Sequence, residues 1–444
     1  MKESSLYGHV VELLGLIDRS RKPADEIVAE FFRGRRYLGA RDRRFIADAV
    51  YDIVRNAALV DRIVQTAVAS SPASMPDIEA RPLSRLLAYL LAIRALGKAE
   101  IEAAAGSLWT SYVRGVPLQD SFDTLASTWS SFHWPESAAE QLALRYSIPR
   151  EVTVEWVDRL GSADAESLCK ASNAAPPVAI RVNTLLCSRQ ECRESLLLEG
   201  IESVPTPLSP VGLIFPKRTS VQALQTFRRG CFEMQDEGSQ ILSYLTQAQT
   251  GQAILDACAG AGGKTLHLAA LMGNTGTLVA TDGSRRRLDN LRERSRRAGA
   301  TTIRVSDPEE HGKPSPDVGY DTVLVDAPCS GTGTYRRNPW LKQTFTESML
   351  EQMVQTQRGL LRRYAEAVKP GGRLVYATCS LLSRENEGQV EAFLRERPDF
   401  AVVPAAGILQ AAGIVVDMKS EFLELLPHRH GTDGFFGAVL ARKR

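Results

Sequence analysis

Two patterns of apolar residues follow one another along the chain. In the first part, apolar residues recur at the three- and four-residue spacing of an amphipathic helix, as in Val10, Leu13, Leu14 and Ile17. This part lacks the short β-branched runs that indicate strands. The pattern therefore predicts an all-α domain over residues 1–155.

The pattern changes after this helical part. Apolar runs at 178–184 and 213–215 indicate strands, and a polar stretch at 189–194 between them indicates a helix. Short strands mixed with a helix predict a small α+β module over residues 156–235.

From Gly251 onward, strand-like runs alternate with helical segments. The runs end near Asp282, Val305 and Asp326. This alternation is typical of an open α/β sheet with parallel strands. The sequence thus predicts a multidomain chain in which a Rossmann-like α/β domain over residues 236–444 follows the two smaller parts.

The bulk composition is that of a globular protein. Of the 444 residues, 44% are apolar and 24% are charged, the net charge is +2, and no apolar run is long enough to span a membrane. Lys2, Glu3 and Glu12 interrupt any signal-peptide pattern. The seven cysteines fit neither a disulfide framework nor a zinc site. We therefore expect a protein of the reducing cytoplasm, without a metal or a membrane partner.

Basic residues are concentrated in three places. Local clusters of this kind suit contacts with the phosphates of a nucleic acid, and a solvated helix face is the alternative. The clusters comprise Arg33, Arg35, Arg36, Arg41, Arg43 and Arg44; Arg285, Arg286, Arg287, Arg292, Arg294, Arg296 and Arg297; and Arg336 with Arg337.

A glycine-rich turn follows the first strand of the α/β part. Glycines let the backbone approach a ligand closely, and the helix that follows offers free N–H groups. The pattern is neither a Walker loop nor a dinucleotide fingerprint, so S-adenosylmethionine, which has no phosphate, fits best. The residues of the turn are Cys258, Ala259, Gly260, Ala261, Gly262, Gly263 and Lys264.

Acidic residues follow the next two predicted strands. Asp282 is placed to accept hydrogen bonds from ribose hydroxyls, although a helix N-cap is the alternative. Asp307 would suit the adenine amino group, with an ordinary loop aspartate as the alternative. Lys264 is expected to neutralise the cofactor carboxylate or Asp326, unless it is simply solvated.

Two cysteines carry the most informative signal. Cys329 lies just after the predicted strand that ends at Asp326. Cys379 lies just after a second predicted strand, which ends at Ala377-Thr378. Ligands bind beyond the carboxyl ends of such strands, so both thiols and Asp326 are expected to face one pocket. A thiolate that adds to C6 of cytosine activates C5 toward a methyl donor, and an acid at N3 favours the addition. The Asp/Asn-Pro-Pro-aromatic motif of amino-methyltransferases is absent.

These motifs resemble the Nol/Nop/Sun family of RNA cytosine-5 methyltransferases. The resemblance covers about residues 175–444. The helical part looks like the NusB-type domain of the RsmB-like branch, a looser match. The motifs that carry the resemblance are Asp326-Ala327-Pro328-Cys329-Ser330-Gly331-Thr332-Gly333, Thr378-Cys379-Ser380, Gln235-Asp236-Glu237-Gly238-Ser239-Gln240, Arg336-Arg337-Asn338-Pro339, His430-Gly431-Thr432-Asp433-Gly434-Phe435-Phe436, Leu38-Gly39-Ala40-Arg41-Asp42-Arg43-Arg44-Phe45 and Tyr51-Asp52-Ile53-Val54-Arg55.

The resemblance implies a class I S-adenosylmethionine methyltransferase acting on RNA, with 16S rRNA of the small subunit as the expected substrate. It implies that Cys379 is the nucleophile, that Cys329 serves product release and that Asp326 faces both the cofactor and N3 of cytosine. DNA cytosine-5 methyltransferases use a Pro-Cys thiol instead, which makes Cys329 the rival nucleophile. The resemblance to the RNA methyltransferases further implies that the loop from Cys258 to Lys264, with Asp282, Asp307 and Asp326, binds the cofactor. We expect a monomer. A tRNA methyltransferase and a non-catalytic RNA-binding or ribosome-assembly factor are the alternatives.

The chain departs from the family pattern at two places. Gly260-Ala261 replaces the usual Ala-Pro of the cofactor loop. Trp340 stands where the family usually has an aspartate, and an aromatic side chain there could stack on a base. Four arginines are expected along the RNA path, namely Arg35, Arg36, Arg336 and Arg337.

Overall fold

The computed structural model describes residues 2–20, 24–77, 80–217, 219–306 and 319–444. The chain forms two compact units: Met1–Asn173 together with Asn338–Thr344, and Ala174–Arg337 together with Phe345–Arg444. The first unit ends at Asn173 and not near the predicted boundary at 155, because helices continue through Arg150–Leu160 and Ser162–Asn173. The further division at residue 235 stays a prediction.

The described helices fall in both units. In chain order they are α1 (Glu3–Arg19), α2 (Ala24–Gly34), α3 (Ala40–Arg55), α4 (Ala57–Ser70), α5 (Arg81–Ala92), α6 (Lys98–Tyr112), α7 (Leu118–Ser130), α8 (Ala138–Tyr146), α9 (Arg150–Leu160), α10 (Ser162–Asn173), α11 (Arg189–Leu198), α12 (Gln225–Arg228), α13 (Glu237–Tyr244), α14 (Gly263–Leu271), α15 (Arg285–Ala298), α16 (Leu341–Thr344), α17 (Glu347–Ala365), α18 (Glu387–Glu396), α19 (Ala405–Ala411) and α20 (Pro427–His430). Short 3-10 helices are Pro72–Ser74, Val221–Ala223, Thr332–Thr334 and Ser383–Glu385.

The described strands all lie in the second unit. They are β1 (Val178–Val182), β2 (Val204–Pro205), β3 (Gly212–Phe215), β4 (Phe232–Met234), β5 (Ala253–Asp256), β6 (Thr277–Ala280), β7 (Ile303–Val305), β8 (Tyr320–Asp326), β9 (Val368–Thr378), β10 (Phe400–Val403), β11 (Leu423–Leu425) and β12 (Phe435–Arg442).

The first unit is helical, as predicted. The apolar stripes of α1, α3 and α5 face inward, so that Val10, Leu13, Ile53 and Leu86 are fully buried or nearly so. Arg85 lies inside this core and donates hydrogen bonds to Asp18 and Asp61, which pair with its buried charge.

The segment Asn338–Thr344 belongs to the helical unit. Its place there explains why residue 340 is a tryptophan and not the aspartate usual in the family. The indole is only 9% exposed and packs on Tyr51, with 5.1 Å between the ring centroids. Trp340 is therefore a core residue, and the expectation that it stacks on a base is wrong. Lys342 follows it into the same core, where its ammonium donates to the carbonyl oxygen of Tyr146 at 3.0 Å. Burial lowers the pKa of Lys342 to about 7.

A small antiparallel sheet begins the second unit. Its strand order is β2-β3-β1-β4, and α11 lies between the first two strands in sequence. Ser188 caps α11 by accepting a hydrogen bond from the backbone N–H of Glu191, while the Glu191 side chain accepts one from the N–H of Ser188. The predicted α+β module is thus confirmed.

The larger sheet has the order β10-β12-β9-β8-β5-β6-β7, with β11 paired to β12. Neighbouring strands from β9 to β7 are parallel, whereas β12 runs antiparallel to β9 and β10. This arrangement confirms the Rossmann-like α/β fold. The strand order reverses beside β5, so β5 and β8 end at the crevice where ligands of such sheets bind.

Two of the three arginine clusters form ion pairs with buried carboxylates. Arg336 is 5% exposed, and it and Arg337 pair with the buried carboxylates of Asp236 and Asp433. A buried charge committed to buried partners cannot contact phosphates, so the expectation that Arg336 lines an RNA path is wrong. The Arg337 side chain is 31% exposed, and its place on an RNA path stays a prediction.

The arginine cluster on α15 contains both paired and exposed members. Arg294 donates to the buried Glu233 carboxylate at 2.9 Å, and Arg297 pairs with the same group. Arg285, Arg286 and Arg287 are exposed. In the part of the chain that the structure describes, no helix combines the length and the hydropathy needed to cross a bilayer.

Candidate active site

The glycine-rich turn connects β5 to α14. Its tight shape depends on Gly262, which has a φ of +89°. A Cβ atom built there would lie 2.2 Å from Cδ1 of Leu291 on α15, so a side chain is excluded both by conformation and by space. Gly262 therefore packs against the helix and does not line the cavity beside the turn.

Asp282 follows β6 and fixes the same turn. Its Oδ2 accepts a hydrogen bond from the backbone N–H of Gly260 at 2.9 Å, and its Oδ1 accepts one from the N–H of Ser284 at 2.8 Å. The N-cap of α15 is Ser284. Asp282 is thus a loop-holding carboxylate at the end of a strand, and the N-cap alternative does not apply.

A cavity of about 770 Å³ opens beyond β5, β6 and β8. Within it the structure brings together most of the residues predicted to bind the cofactor. They are Cys258, Ala259, Gly260, Ala261, Gly263, Lys264, Asp282 and Asp326. Asp307, the remaining predicted residue besides Gly262, lies outside the described residues.

The cavity has the features that a nucleoside-type cofactor requires. A Cβ atom at Gly260 or Gly283 would project into open space beside it, so the backbone is accessible there. The carboxylate of Asp282 and the backbone of the turn supply polar groups at one side. Apolar and aromatic side chains from α17, Leu360 and Tyr364, cover another side. The residues present therefore fit S-adenosylmethionine.

Sequence reasoning missed several lining residues. Gln235, Arg287, Leu360 and Tyr364 belong to elements whose approach to the turn depends on tertiary packing. For Gln235 a signal existed, because it begins a motif that carries the family resemblance.

Lys264 and Asp326 form a close ion pair at the floor of the cavity. The Lys264 Nζ donates to Oδ2 of Asp326 at 2.6 Å. Burial alone would lower the pKa of Lys264, but the Asp326 carboxylate raises it above its usual range. Lys264 is thus held as an ammonium ion, and its alternative as a solvated lysine does not apply.

A second acid, Asp256, lies below this pair at the end of β5. It is 1% exposed and accepts a hydrogen bond from the Thr265 hydroxyl at 2.7 Å. Burial raises the pKa of Asp256 to about 7, and the charge of Asp326 acts in the same direction.

The two motif cysteines lie side by side beyond β8 and β9. The distance between Sγ of Cys329 and Sγ of Cys379 is 3.3 Å. Both cysteine residues are partly exposed, although the Cys329 thiol itself is buried. Asp326 and Pro328, which precede Cys329, line the cavity, whereas neither cysteine is among its described lining residues. A hydrogen bond with Cys379, together with burial, raises the pKa of Cys329 well above its usual range, so Cys329 is held as a thiol.

Hydrogen bonds between the residues around the cysteines hold the two loops together. The backbone N–H of Gly333 donates to the carbonyl oxygen of Cys379 at 2.9 Å, and the hydroxyls of Ser330 and Ser380 are 3.2 Å apart. The Asn386 amide donates to the carbonyl oxygen of Ser380 at 3.0 Å. The spacing of the thiols is therefore set by side chains that are themselves buried.

The arrangement provides distinct chemical groups at one edge of the sheet. A thiol pair can form and break a covalent bond to a substrate, and a carboxylate with its ammonium partner can exchange a proton with a heterocyclic nitrogen. The adjoining cavity can place a methyl donor next to these groups.

Comparison with known proteins agrees with this geometry. Residues 243–441 match the family model described as 16S rRNA methyltransferase RsmB/F, and residues 152–222 match the ferredoxin-like domain of RsmF/B-like methyltransferases. The chain is 31% identical over 416 residues to a probable ribosomal RNA small subunit methyltransferase B of Synechocystis, covering 91% of this chain and 92% of the relative. It is 32% identical to the corresponding protein of Bacillus subtilis, covering 70% of each.

A solved structure extends the similarity over the whole chain. The crystal structure of PH0851 aligns with a TM-score of 0.79 and 27% identity, covering 100% of this chain and 99% of that one. The similarity therefore includes the helical unit as well as the part that contains the cavity and the thiols.

Proposed function

Because the chain belongs to the RsmB/F family of S-adenosylmethionine-dependent rRNA methyltransferases, we propose that it methylates C5 of a cytosine in 16S ribosomal RNA. We further propose that the reaction passes through a covalent bond between Cys379 and C6 of the base. The observation that carries this proposal is the opposition of the Cys379 and Cys329 thiols at 3.3 Å beside the cofactor cavity.

The first step is addition of the Cys379 sulfur to C6. The thiol loses its proton to solvent, the S–C6 bond forms, and the electron pair of the C5–C6 double bond makes C5 nucleophilic. S-adenosylmethionine, when bound, supplies the methyl group that C5 takes up. The target base must leave any helical stack to reach both groups.

Asp326 and Lys264 would assist this addition at N3 of the base. As negative charge develops on the ring, Asp326 passes to N3 a proton that it takes from the Lys264 ammonium across their 2.6 Å hydrogen bond. The proton returns to Lys264 when the ring regains its aromatic electrons. The Lys264–Asp326 pair is thus in its starting protonation state at the end of the reaction.

The last step is elimination, in which Cys329 would act. The C5–H bond breaks, the C5–C6 double bond forms again, and the bond between C6 and the Cys379 sulfur breaks. Cys329 gives its hydrogen to the departing sulfur and takes up the proton lost from C5. Its raised pKa supports this role, because it keeps Cys329 protonated until the sulfur departs.

Binding of RNA would use basic residues that remain accessible. Arg33, Arg36, Arg41 and Arg44 of the helical unit are exposed, and so are Arg285 and Arg286 of the second unit. Ribosomal RNA is preferred over tRNA as substrate because the relatives that cover most of the chain are named as small-subunit methyltransferases.

The test is transfer of labelled methyl to unmodified small-subunit ribosomal RNA and, in parallel, to bulk tRNA. We expect transfer to the ribosomal RNA, with the label recovered as 5-methylcytidine after digestion to nucleosides. Label recovered on another nucleoside, or on tRNA alone, would contradict the proposal. Exposed Asp289→Asn is a control that should behave as the wild type.

A further inference from the structure

A buried carboxylate that the proposed reaction does not use lies directly behind Cys329. Glu385 ends the 3-10 helix Ser383–Glu385, which follows the Cys379 motif, and its exposure is 0%. Its Oε1 accepts a hydrogen bond from the backbone N–H of Ser330 at 2.8 Å, and its Oε2 accepts one from the Ser330 hydroxyl. A carboxylate is therefore bonded twice to the residue immediately after Cys329.

Gln357, which lies on α17, completes the contacts around Cys329. Its Nε2 donates to Oε1 of Glu385 and to the carbonyl oxygen of Pro328, both at 2.9 Å. The residues before and after Cys329 are thus both fixed, Pro328 by Gln357 and Ser330 by Glu385. Because a backbone held on both sides has little freedom, the position of the thiol between them is determined.

Glu385 is also bonded to the strand that leads to Cys379. Its carbonyl oxygen accepts a hydrogen bond from the Tyr376 hydroxyl at 2.6 Å, within the strand that leads to Cys379. The neighbouring Ser330 hydroxyl lies 3.2 Å from the Ser380 hydroxyl. Glu385 consequently connects the end of β9 to the loop after β8, and the two thiols meet where these segments meet.

We infer that Glu385 is a positioning residue that holds the Cys329 thiol against Cys379 for the release step. This inference rests on the proposed function, because release has a meaning only if Cys379 forms a covalent adduct. Glu385 contacts neither the cavity nor the thiols directly in the hydrogen bonds described, so it acts through Ser330.

The charge of Glu385 supports the same role. After the hydrogen bond with Cys379 and burial, the Glu385 carboxylate is a further cause that raises the pKa of Cys329. A protonated Cys329 is the form that can give its hydrogen to a departing sulfur. The contacts of Glu385 therefore fix the position of Cys329 beside Cys379, and its charge favours the protonated thiol.

The decisive comparison uses covalent protein–RNA adduct on a denaturing gel. Wild type, Cys329→Ala, Glu385→Ala and the near-isosteric Glu385→Gln are incubated with unmodified small-subunit ribosomal RNA and S-adenosylmethionine. We expect Glu385→Ala to accumulate about tenfold more adduct than the wild type, because a displaced thiol slows release. Glu385→Gln, which keeps one of the two oxygen acceptors, should accumulate an amount between those of the wild type and Glu385→Ala. Exposed Glu391→Gln, on α18, is the matched control and should behave as the wild type.

The outcomes separate the inference from the function on which it rests. If Cys329→Ala accumulates adduct and Glu385→Gln turns over with wild-type amounts, the positioning role is wrong although the proposed function holds. If neither wild type nor Cys329→Ala forms 5-methylcytidine or adduct, the proposed function fails and the inference fails with it. Should Glu385→Ala not fold, Glu385→Gln decides, since it keeps the volume and the Oε1 acceptor.

A pH profile adds a result that a purely structural role would not produce. In a Cys379→Ala background, alkylation of Cys329 by iodoacetamide is followed by peptide mass spectrometry between neutral and alkaline pH. We expect Glu385→Gln to move the midpoint of the profile to lower pH, because the negative charge near the thiol is gone. An unchanged midpoint would contradict the part of the inference that concerns charge.

Discussion

Sγ of Cys329 and Sγ of Cys379 lie 3.3 Å apart, each just beyond the carboxyl end of a parallel strand. The contact brings the two sulfurs together at one edge of the sheet. It also places them where an oxidant can join them.

Mild oxidation is expected to inactivate the protein reversibly. Hydrogen peroxide takes two hydrogens and two electrons from the thiol pair and is reduced to water, leaving a disulfide that removes the Cys379 nucleophile. Methyl transfer should fall in step with a peptide disulfide linking Cys329 and Cys379, and dithiothreitol should restore both. Persistence of full activity with the disulfide formed would contradict the assignment of Cys379. Cys329→Ala is the control that cannot form this link.

Replacing Asp282 is expected to weaken cofactor binding. Its carboxylate accepts from the backbone N–H groups of Gly260 and Ser284, so the loss of charge in Asp282→Asn loosens the turn that borders the cavity. Calorimetry should show a Kd for S-adenosylmethionine about tenfold higher, as a charged hydrogen bond would give. An unaltered Kd would exclude Asp282 from the cofactor site. Asp289→Asn, on the exposed face of α15, is the matched control.

Loss of the Trp340 side chain is expected to destabilise the helical unit. The indole is buried against Tyr51, and truncation of a buried tryptophan to alanine costs about 3–5 kcal/mol. Thermal unfolding followed by circular dichroism should therefore begin at lower temperature in Trp340→Ala, with a smaller change in Trp340→Phe. Cofactor affinity measured at low temperature should stay that of the wild type. An unchanged unfolding curve would mean that the indole is not part of the core.

Lys342 is expected to make stability depend on pH. Burial lowers the pKa of its ammonium to about 7, whereas the unfolded chain keeps the ordinary lysine value. Between these values the unfolded state binds one more proton than the folded state, so the free energy of unfolding rises with pH. The rise between pH 7 and 9 should be about 2 kcal/mol from this group.

Chemical denaturation across this pH range tests the point. The difference in unfolding free energy between wild type and Lys342→Met should change with pH by the expected amount. The exposed Lys170→Met should show no such change relative to wild type. Parallel pH profiles for wild type and Lys342→Met would show that Lys342 is not titrating in this window.

Sequence patterns were sufficient for the features that depend on local order. The cysteines at 329 and 379 were expected to face one pocket with Asp326 because parallel strands end at one edge, and their sulfurs are in contact there. That both thiols face the cavity stays a prediction, because its described lining includes Asp326 but neither cysteine. The glycine turn and Asp282 were identified for the same reason, since each follows a strand whose apolar run is visible in the sequence.

Features set by distant pairing were not visible. The sequence predicted that Arg336 and Arg337 bind phosphates. In the fold they pair with Asp433 and Asp236, which are far away in the sequence. Trp340 read as a candidate for base stacking because nothing in its neighbourhood indicates that Tyr51 covers it. Charge and aromatic character say what a side chain can bind, whereas burial decides which partner it has.

If Cys379 attacks the base and Cys329 releases it, the two single-cysteine variants will stop the reaction at different points. Each of Cys379→Ala and Cys329→Ala is incubated with unmodified small-subunit ribosomal RNA and S-adenosylmethionine, and any denaturation-resistant adduct is mapped by mass spectrometry. We expect an adduct in Cys329→Ala, attached at Cys379, and neither adduct nor methyl transfer in Cys379→Ala. An adduct attached at Cys329 in the Cys379→Ala variant, with none in Cys329→Ala, would show that Cys329 is the nucleophile and that the two proposed roles are wrong.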